Sequence, residues 1–391
     1  MIGRDIVPFI ERTAAEYPVV TVTGPRQSGK TTLIRDLFKE KAYYNLEQTS
    51  MLDFALRDPE GFIRQMPDDG AVIDEIQRAP QLLSLIQVAV DENPRKGRFI
   101  LTGSAQLQLL DAVSQSLAGR TALVTLLPLS LHELRGQAPL TDAPSLIYNG
   151  FMPRIYNDRL VPTEALDYYF RTYVERDVRL MSQIHNLDQF QTFVRMCAGR
   201  VGQILNLSAL GSDVGISQTT ARAWLSILQA SYILFTLEPH HLNINRRLVK
   251  SPKLYFYDVG LAAFLLGIER AGQVQSHPLY GNLFENMVVT EFLKYRFNRG
   301  RTNNLSFYRD AKGNEIDLLY ADAQHLLPVE IKAGMTVHPD FFKGLDAFQR
   351  IRPELPHGRM LVYGGDTVQR RSDALVLPPA ALHDELKALF A

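Results

Sequence analysis

Short apolar runs alternate with helix-spaced segments over the first 130 residues of the chain. PVVTVTG (18–24) is a β-branched run that closes on glycine. KAYYNLE (41–47), GAVIDEIQ (70–77), RFILTGS (98–104) and RTALVTLLPLS (120–130) repeat the strand-like pattern. KTTLIRDLFKE (30–40) places Leu33, Ile34, Leu37 and Phe38 at helical spacing, and LLSLIQVAVDEN (82–93) reads as a further helix. Such alternation predicts a mostly parallel sheet covered by helices on both faces. From about 130 to 235 helical periodicity takes over, with EALDYYFRTYVERDVRLMSQI (164–184) as one long amphipathic segment. Strands return from 253: KLYFYDV (253–259), LSFYRD (305–310), EIDLLYA (315–321), LLPVEIKA (326–333) and RMLVYGG (359–365), with NLFENMVVTEFLKYRF (282–297) helical between them. The predicted fold class is α/β in three units: a parallel sheet domain at 1–130, a helical middle at 131–250 and a second α/β domain at 251–391.

The first strand–helix junction carries the clearest chemistry. Gly24-Pro25-Arg26-Gln27-Ser28-Gly29-Lys30-Thr31 fits G-x-x-x-x-G-K-[ST] between a predicted strand and a predicted helix. Its backbone N–H groups and the helix N-terminus would cradle a phosphate. The stretch from Gly24 to Thr31, with Thr32 following, is expected to wrap the nucleotide phosphates. Lys30 would reach the β- and γ-phosphates, and the Thr31 hydroxyl would ligate Mg²⁺. A cradle alone would serve a kinase or a GTPase equally well. The strand Ala71-Val72-Ile73-Asp74-Glu75 decides, because it ends in adjacent carboxylates. Asp74 is assigned to Mg²⁺ and Glu75 to polarising the attacking water, which predicts hydrolysis to ADP and phosphate. ILTGSAQ (100–106) offers Thr102, Ser104 or Gln106 as a sensor of the γ-phosphate, with Ser104 favoured. Arg120 is either an arginine finger reaching a neighbouring subunit or an ordinary surface residue.

These motifs resemble the AAA-type ATPases of the P-loop superfamily, with Walker A at 24–31, Walker B at 71–75 and a sensor-like strand at 100–104. The whole chain is similar to a widespread prokaryotic family that joins such an ATPase to an uncharacterised C-terminal domain. VTGPRQSGKTTL, VIDEIQRAP, FILTGSAQ, GRTALVTLLPLSLHEL, GFMPRIY, YVERDV, KLYFYDVGLAAFLLG, GNLFENMVV and EIDLLY carry that resemblance in order. It implies ATP and Mg²⁺ as cofactors, and a nucleotide state that repositions the C-terminal units on DNA or on a protein.

Two further constellations stand outside the ATPase motifs. LNLSALGSDVGISQTTARAWLSILQASYIL (205–234) reads as helix–turn–helix. Ser208 and Ser217 are expected as helix caps and Gly215-Ile216-Ser217 as the turn. Ala221, Trp224, Leu225 and Leu228 form the inward face, and Gln218, Thr219, Arg222 and Ser226 the outward one. HHLNINRRLVKSPK (240–253) adds Arg246, Arg247, Lys250 and Lys253 without an acid, which suits the basic wing of a winged helix on DNA. A protein-docking module fits the same pattern. In the tail, Glu285 on a helix, Asp317 on a strand and Glu330-Ile331-Lys332 on the next look like the signature of restriction-endonuclease-like nucleases. Asp317, Glu330 and Glu285 would converge on a second Mg²⁺. Lys332, on the same strand face as Glu330, would orient water or stabilise phosphate charge. Solvated strand ends, or a nuclease-like fold used for binding alone, are the alternatives.

Composition narrows the partners. Lys+Arg and Asp+Glu are each 42, so bulk charge does not make this a histone-like nucleic-acid coat. A single cysteine, Cys197, excludes an intramolecular disulfide and a multi-cysteine zinc site, and fits a reducing cytoplasm. MIGRDIVPFIERTAAEYP lacks a signal-peptide core, and no window approaches 18 apolar residues, so no membrane partner is expected. The nine histidines show no metal-binding spacing, and His240-His241 reads as a solvated loop pair. A monomer and an oligomer are both compatible with the sequence.

Overall fold

The computed structural model describes residues 2–103, 113, 116–173, 186–240, 251–310, 312–322, 326–354 and 358–390. The N-terminal sheet is parallel throughout. It contains β1 (Val19–Thr23), β2 (Ala42–Asn45), β3 (Ala71–Asp74), β4 (Phe99–Thr102) and β5 (Thr121–Thr125), in the order β2-β3-β4-β1-β5. Alternate residues supply opposite faces. Val19, Ala71, Ile73, Phe99 and Leu101 pack on the helix Leu82–Glu92 through Leu82, Leu83 and Ile86. Val20, Val22, Val72, Ile100 and Val124 meet Ile6 and Ile10 of the helix Val7–Glu16 and its flank, and Leu33 and Ile34 of the helix Lys30–Leu37. Burial on both faces is why these strands read as unbroken apolar runs.

After Leu126 the chain enters one continuous hydrophobic core that extends to Phe390. The described residues of the middle region are largely helical: the helix Pro162–Tyr169 passes into a π-type turn at 170–173, and the rest of the predicted 164–184 helix lies outside the described residues. Next come the helices Leu187–Ala198, Leu207–Val214 and Gln218–Ala230. Asn206, not Ser208, caps the second of these, accepting from Ala209 N at 3.0 Å. Ser208 lies inside the helix, two positions past the cap. Ser217 caps the third through Thr220 N at 3.1 Å, and Gly215 makes the turn at φ +75°. The turn brings Ala221, Trp224, Leu225 and Leu228 into the core, where Trp224 meets Phe190 and Phe193 edge-on.

The chain leaves this helix through a strained corner. Tyr232 is held at φ +53°, a left-handed conformation that a tyrosine rarely adopts. β6 (Leu234–Pro239) follows, in a stretch where the sequence pattern gave no strand. It pairs antiparallel with β7 (Lys253–Phe256) and parallel with β8 (Leu305–Arg309). β9 (Glu315–Ala321), β10 (Leu326–Lys332), β11 (Met360–Tyr363), β12 (Gln369–Arg370) and β13 (Leu375–Leu377) complete an eight-stranded sheet in the order β12-β13-β11-β10-β9-β8-β6-β7. A division at 250/251 therefore falls between strands that pair with each other. The helix Tyr280–Phe297 packs on this sheet, buried through Leu283, Phe284, Met287, Val288 and Phe292. Among the described residues no helix is long and apolar enough to cross a membrane. Cys197 is buried, which pushes its thiol well up and leaves it inert.

The N-terminal unit is joined to this core by a buried ion pair. Glu291 and Lys294 lie 2.8 Å apart on the helix Tyr280–Phe297. Glu291 accepts from Leu131 N at 2.8 Å, and Lys294 Nζ donates to Leu129 O at 2.7 Å and lies over the Phe151 ring. Both charges thus end on main chain just after the parallel sheet, which satisfies them away from water.

Candidate functional site

The loop from β1 to the helix Lys30–Leu37 takes its shape from its glycines. Gly24 lies at φ +139°, where a Cβ would meet Leu126 O at 2.1 Å, and Gly29 at φ +91° begins the helix. Arg4 supports the loop from behind. It donates to Ser28 O at 2.7 Å and to Leu127 O at 2.6 Å, and pairs with Glu133 at 3.1 Å. No motif marks Arg4 in the sequence; its role comes from the packing of the N-terminal arm.

Lys30 is buried and folds onto its own loop, donating to Gly24 O at 3.0 Å and Pro25 O at 2.7 Å. Burial lowers its pKa to about 8, against the pull of Glu75 and Asp74. Ser28 Oγ is buried with no hydrogen-bond partner among the described residues. An ammonium resting on carbonyls and an unpaired hydroxyl in the same loop fit an anion that would engage both.

β3 brings its carboxylates to the mouth of the loop. Thr31 Oγ1 donates to Asp74 at 3.2 and 3.1 Å, Tyr43 OH donates to Asp74 at 2.6 Å, and Thr102 Oγ1 donates to it as well. A hydroxyl and a carboxylate this close form an oxygen donor set suited to Mg²⁺. Tyr43 was not evident from the sequence, because its neighbour Asp74 lies on a different strand. Ser104, the favoured sensor, lies outside the described residues, and Thr102 is the polar residue of that strand that reaches Asp74. Glu75 sits at φ +59°, strain of the kind that collects at functional sites. Burial raises its pKa, offset in part by Lys30, and Gln77 donates to its carboxylate.

Arg26, Gln27, Gly29, Lys30, Thr31, Thr32 and Glu75 line a single cavity of about 400 Å³, the size of a small-molecule site. Its far wall is Ile2, Leu129 and Pro153, with Arg154 and Asn157 beside them. Two contacts lead from this loop to the corner after the helix Gln218–Ala230. The Arg26 guanidinium lies 5.2 Å over the Tyr173 ring, and Tyr173 OH donates to Ser231 O at 3.0 Å. Thr23, just before the loop, lies 3.4 Å from Tyr232 OH, as does Thr125 at the end of β5.

The other sequence-selected residues divide. Arg120 is held by Asp91 of its own chain through paired contacts at 2.6 and 2.8 Å near the surface. Gln218, Thr219, Arg222 and Ser226 share the exposed side of their helix. Arg246, Arg247 and Lys250 lie outside the described residues. Lys253, grouped with them as a wing residue, is instead a buried member of the tail cluster, because its strand β7 lies against the helix Tyr280–Phe297.

That cluster brings Glu285, Asp317, Glu330 and Lys332 together. Lys332 Nζ lies 2.6 Å from Glu330 and 3.3 Å from Asp317, and Asp317 accepts from Ile331 N at 2.8 Å. Lys253 Nζ enters from the other side, 3.0 Å from Glu285, 4.0 Å from Asp317 and paired with Glu315. Burial works against the Lys253 ammonium, yet Glu285, Asp317 and Glu315 outweigh it and keep it charged. Burial, joined by Asp317, raises Glu285 to about 7 despite Lys253. Burial and Asp317 raise Glu330 to about 8. Glu330 Oε2 is buried without a hydrogen-bond partner among the described residues. The oxygen donors are of the kind that holds Mg²⁺, and two ammonium groups, Lys253 and Lys332, lie among them in place of a metal charge.

Residues 16–135 match the family described as "AAA domain". Residues 140–272 match "Domain of unknown function (DUF8612)", and 280–382 match "Domain of unknown function (DUF4143)". The chain is 30% identical over 381 residues to the "Uncharacterized protein Rv2008c" of Mycobacterium tuberculosis and, equally, to the "Uncharacterized protein Mb2031c" of Mycobacterium bovis. The match covers 96% of this chain and 83% of each relative. Among solved structures, the Walker-type ATPase of Pyrococcus abyssi is similar at 15% identity and a TM-score of 0.47, over 68% of this chain and 96% of that one. AMPPCP-bound DnaA from Aquifex aeolicus is similar at 14% identity and a TM-score of 0.30, over 57% and 85%.

Proposed function

The chain belongs to the family of the mycobacterial proteins Rv2008c and Mb2031c, with an AAA-type P-loop ATPase domain at its N-terminal end, and from that premise we propose that it hydrolyses MgATP to ADP and phosphate to drive its C-terminal half on DNA. The observation that carries the hydrolytic part is the meeting of Lys30, Thr31 and Glu75 at one cavity, with Asp74 hydrogen-bonded to Thr31 beside it. Main chain from Gly24 to Thr32 and the Ser28 hydroxyl bind the phosphates. Lys30 leaves its loop carbonyls to pair with the β- and γ-oxygens. Thr31 and Asp74 would hold Mg²⁺, which neutralises phosphate charge when bound. Glu75 orients a water and takes its proton, a task its raised pKa suits. The purine rests on Ile2, Leu129 and Pro153, with Arg154 and Asn157 as polar contacts.

DNA is favoured as the partner by the exposed Gln218, Thr219, Arg222 and Ser226, on a Ser-capped helix backed by the β6–β7 hairpin. A nucleotide switch that captures a protein partner uses the same surface. An ATP-regulated nuclease in the tail would require Lys253 to withdraw first.

The deciding measurement is steady-state hydrolysis by the wild type and Lys30→Ala, with and without single- and double-stranded DNA, at low salt and at about 150 mM, since phosphate-driven binding weakens with salt. Turnover raised by DNA and lowered about 100-fold or more by Lys30→Ala is the expected result. Turnover indifferent to DNA rejects the DNA half of the reading, and turnover unaffected by Lys30→Ala rejects the site.

ATP binding is also expected to depend on pH through Lys30. Phosphate favours the charged ammonium, whose pKa in the nucleotide-free protein is about 8. Affinity should therefore hold steady below that pH and fall by up to about tenfold per unit above it. Calorimetry in buffers of different ionisation heat checks this: proton uptake near zero at about pH 7 and approaching one at about pH 9.

A further inference from the structure

The arm that precedes the helix Val7–Glu16 lies against the phosphate loop and is gripped there. The Arg4 side chain is 5% exposed and that of Glu133 1%, and the two pair at 3.1 Å. Arg4 Nη1 donates to Ser28 O at 2.7 Å, and Nη2 donates to Leu127 O at 2.6 Å. Glu133 is fixed in turn, because its carboxylate accepts from Asp5 N at 2.7 Å and from Ser130 N at 2.8 Å. Asp5 lies 2.8 Å from His132 Nδ1, 3.2 Å from Ser130 Oγ and 3.6 Å from His383 Nδ1 on the C-terminal helix Leu382–Leu389. The planar guanidinium fork is therefore held in one orientation, with two of its nitrogens on main-chain carbonyls.

The grip on Ser28 O acts on the far side of the same peptide. Among the described residues no peptide bond is cis, so the Ser28 carbonyl and the Gly29 N–H point in opposite directions. Turning Ser28 O onto Arg4 turns the Gly29 N–H away from it. Gly29 lies at φ +91°, and glycine tolerates both signs of φ, so this peptide is free to flip unless its carbonyl is held. The Gly29 N–H makes no hydrogen bond among the described residues, and Gly29 lines the cavity beside Lys30 and Thr31. A leftover donor in that position suits a phosphate oxygen. Bulk charge is the smaller effect, since the Glu133 carboxylate at 3.1 Å cancels much of the guanidinium field at the loop.

Resting on the reading of this cavity as an ATP site, we propose that Arg4 is a positioning residue for nucleotide binding. It fixes the Ser28–Gly29 peptide so that the Gly29 N–H meets an oxygen of a phosphate that ADP also carries, and Glu133 holds Arg4 in place. Arg4 acts through the loop and touches no reacting atom. The Gly29 contact is the same before and during the reaction, so its loss raises KM and leaves kcat. ADP keeps the contacted phosphate, so it loses affinity by the same factor as ATP.

The test compares the full-length wild type with Arg4→Met and with the double variant Arg4→Met/Glu133→Gln. The single change strands a buried carboxylate and endangers the fold. The double change removes both charges, and glutamine still offers a carbonyl to the Asp5 N–H. Calorimetry reads ADP affinity, steady-state turnover reads KM and kcat for MgATP, and thermal melting confirms that each variant is folded. ADP affinity about tenfold or more below wild type, KM raised by a matching factor and kcat within about threefold are expected, the scale of one hydrogen bond to a charged group. A cooperatively melting double variant with unchanged ADP affinity overturns the proposal. So does a fall in kcat with KM and ADP affinity unchanged, which marks a loss of active protein alone. A wild type that binds neither nucleotide rejects the ATP-site reading itself, and the role of Arg4 falls with it.

Discussion

Glu75→Gln is expected to lower ATP turnover by about 10²–10⁴-fold while leaving MgATP binding within a few-fold of wild type. Glutamine keeps the shape of the side chain but cannot take a proton from water. Lys30, Thr31 and Asp74, which would meet the phosphates and the ion, are untouched. The pairing of the two readouts is what discriminates. A variant that loses binding and turnover together has collapsed the cavity, in which Glu75 occupies a strained left-handed conformation. Single-turnover assays with equilibrium binding of a fluorescent ATP analogue separate the outcomes. Unchanged turnover would remove Glu75 from the chemistry.

Lys253→Met should cost about 3–5 kcal/mol of stability near neutral pH, since it leaves Glu285, Glu315 and Asp317 without their shared buried cation. The pH dependence has a definite sign. Glu285 and Glu330 titrate at about 7 and about 8 in the folded protein, above the ordinary glutamate value. Carboxyls raised in this way destabilise the fold increasingly as pH rises from the ordinary glutamate value up to those values, with no further loss above them. The Lys253→Met deficit should therefore be largest at alkaline pH and shrink as pH falls toward the ordinary glutamate range. Denaturant melts at a series of pH values check this. Repeating them with millimolar Mg²⁺ asks whether a divalent ion replaces the ammonium. Recovery would show that the cluster accepts a metal once Lys253 is absent, and no recovery would mark it as an internal ion-pair core.

The parallel sheet was legible because buried parallel strands leave unbroken apolar runs and its phosphate loop is contiguous in sequence. The inward face of the helix Gln218–Ala230 was legible for the same local reason. What escaped depends on pairing between distant segments. β6 followed a long helical stretch and became a strand because β7 and β8 flank it. Lys253 looked like a wing residue beside Arg246, Arg247 and Lys250, and only the position of its strand beside Glu285 sends it inward. Tyr43 and Arg4 reach the phosphate loop from elements with no motif of their own. Asp5, His132 and His383, beside the arm that carries Arg4, meet through the tertiary fold alone.

The corner at Ser231-Tyr232 would turn a binding event into a displacement. Arg26 stacks on Tyr173, whose hydroxyl holds the Ser231 carbonyl, and Tyr232 touches Thr23 on the other side of the same loop. A phosphate that draws Arg26 inward takes it off that ring and loosens one grip on the corner while the other stays fixed. Because Tyr232 is already in a strained conformation, little work is needed to let it turn. The helix that ends there would then pivot with each cycle of nucleotide entry and release. Signalling of this kind would run through contacts within one chain.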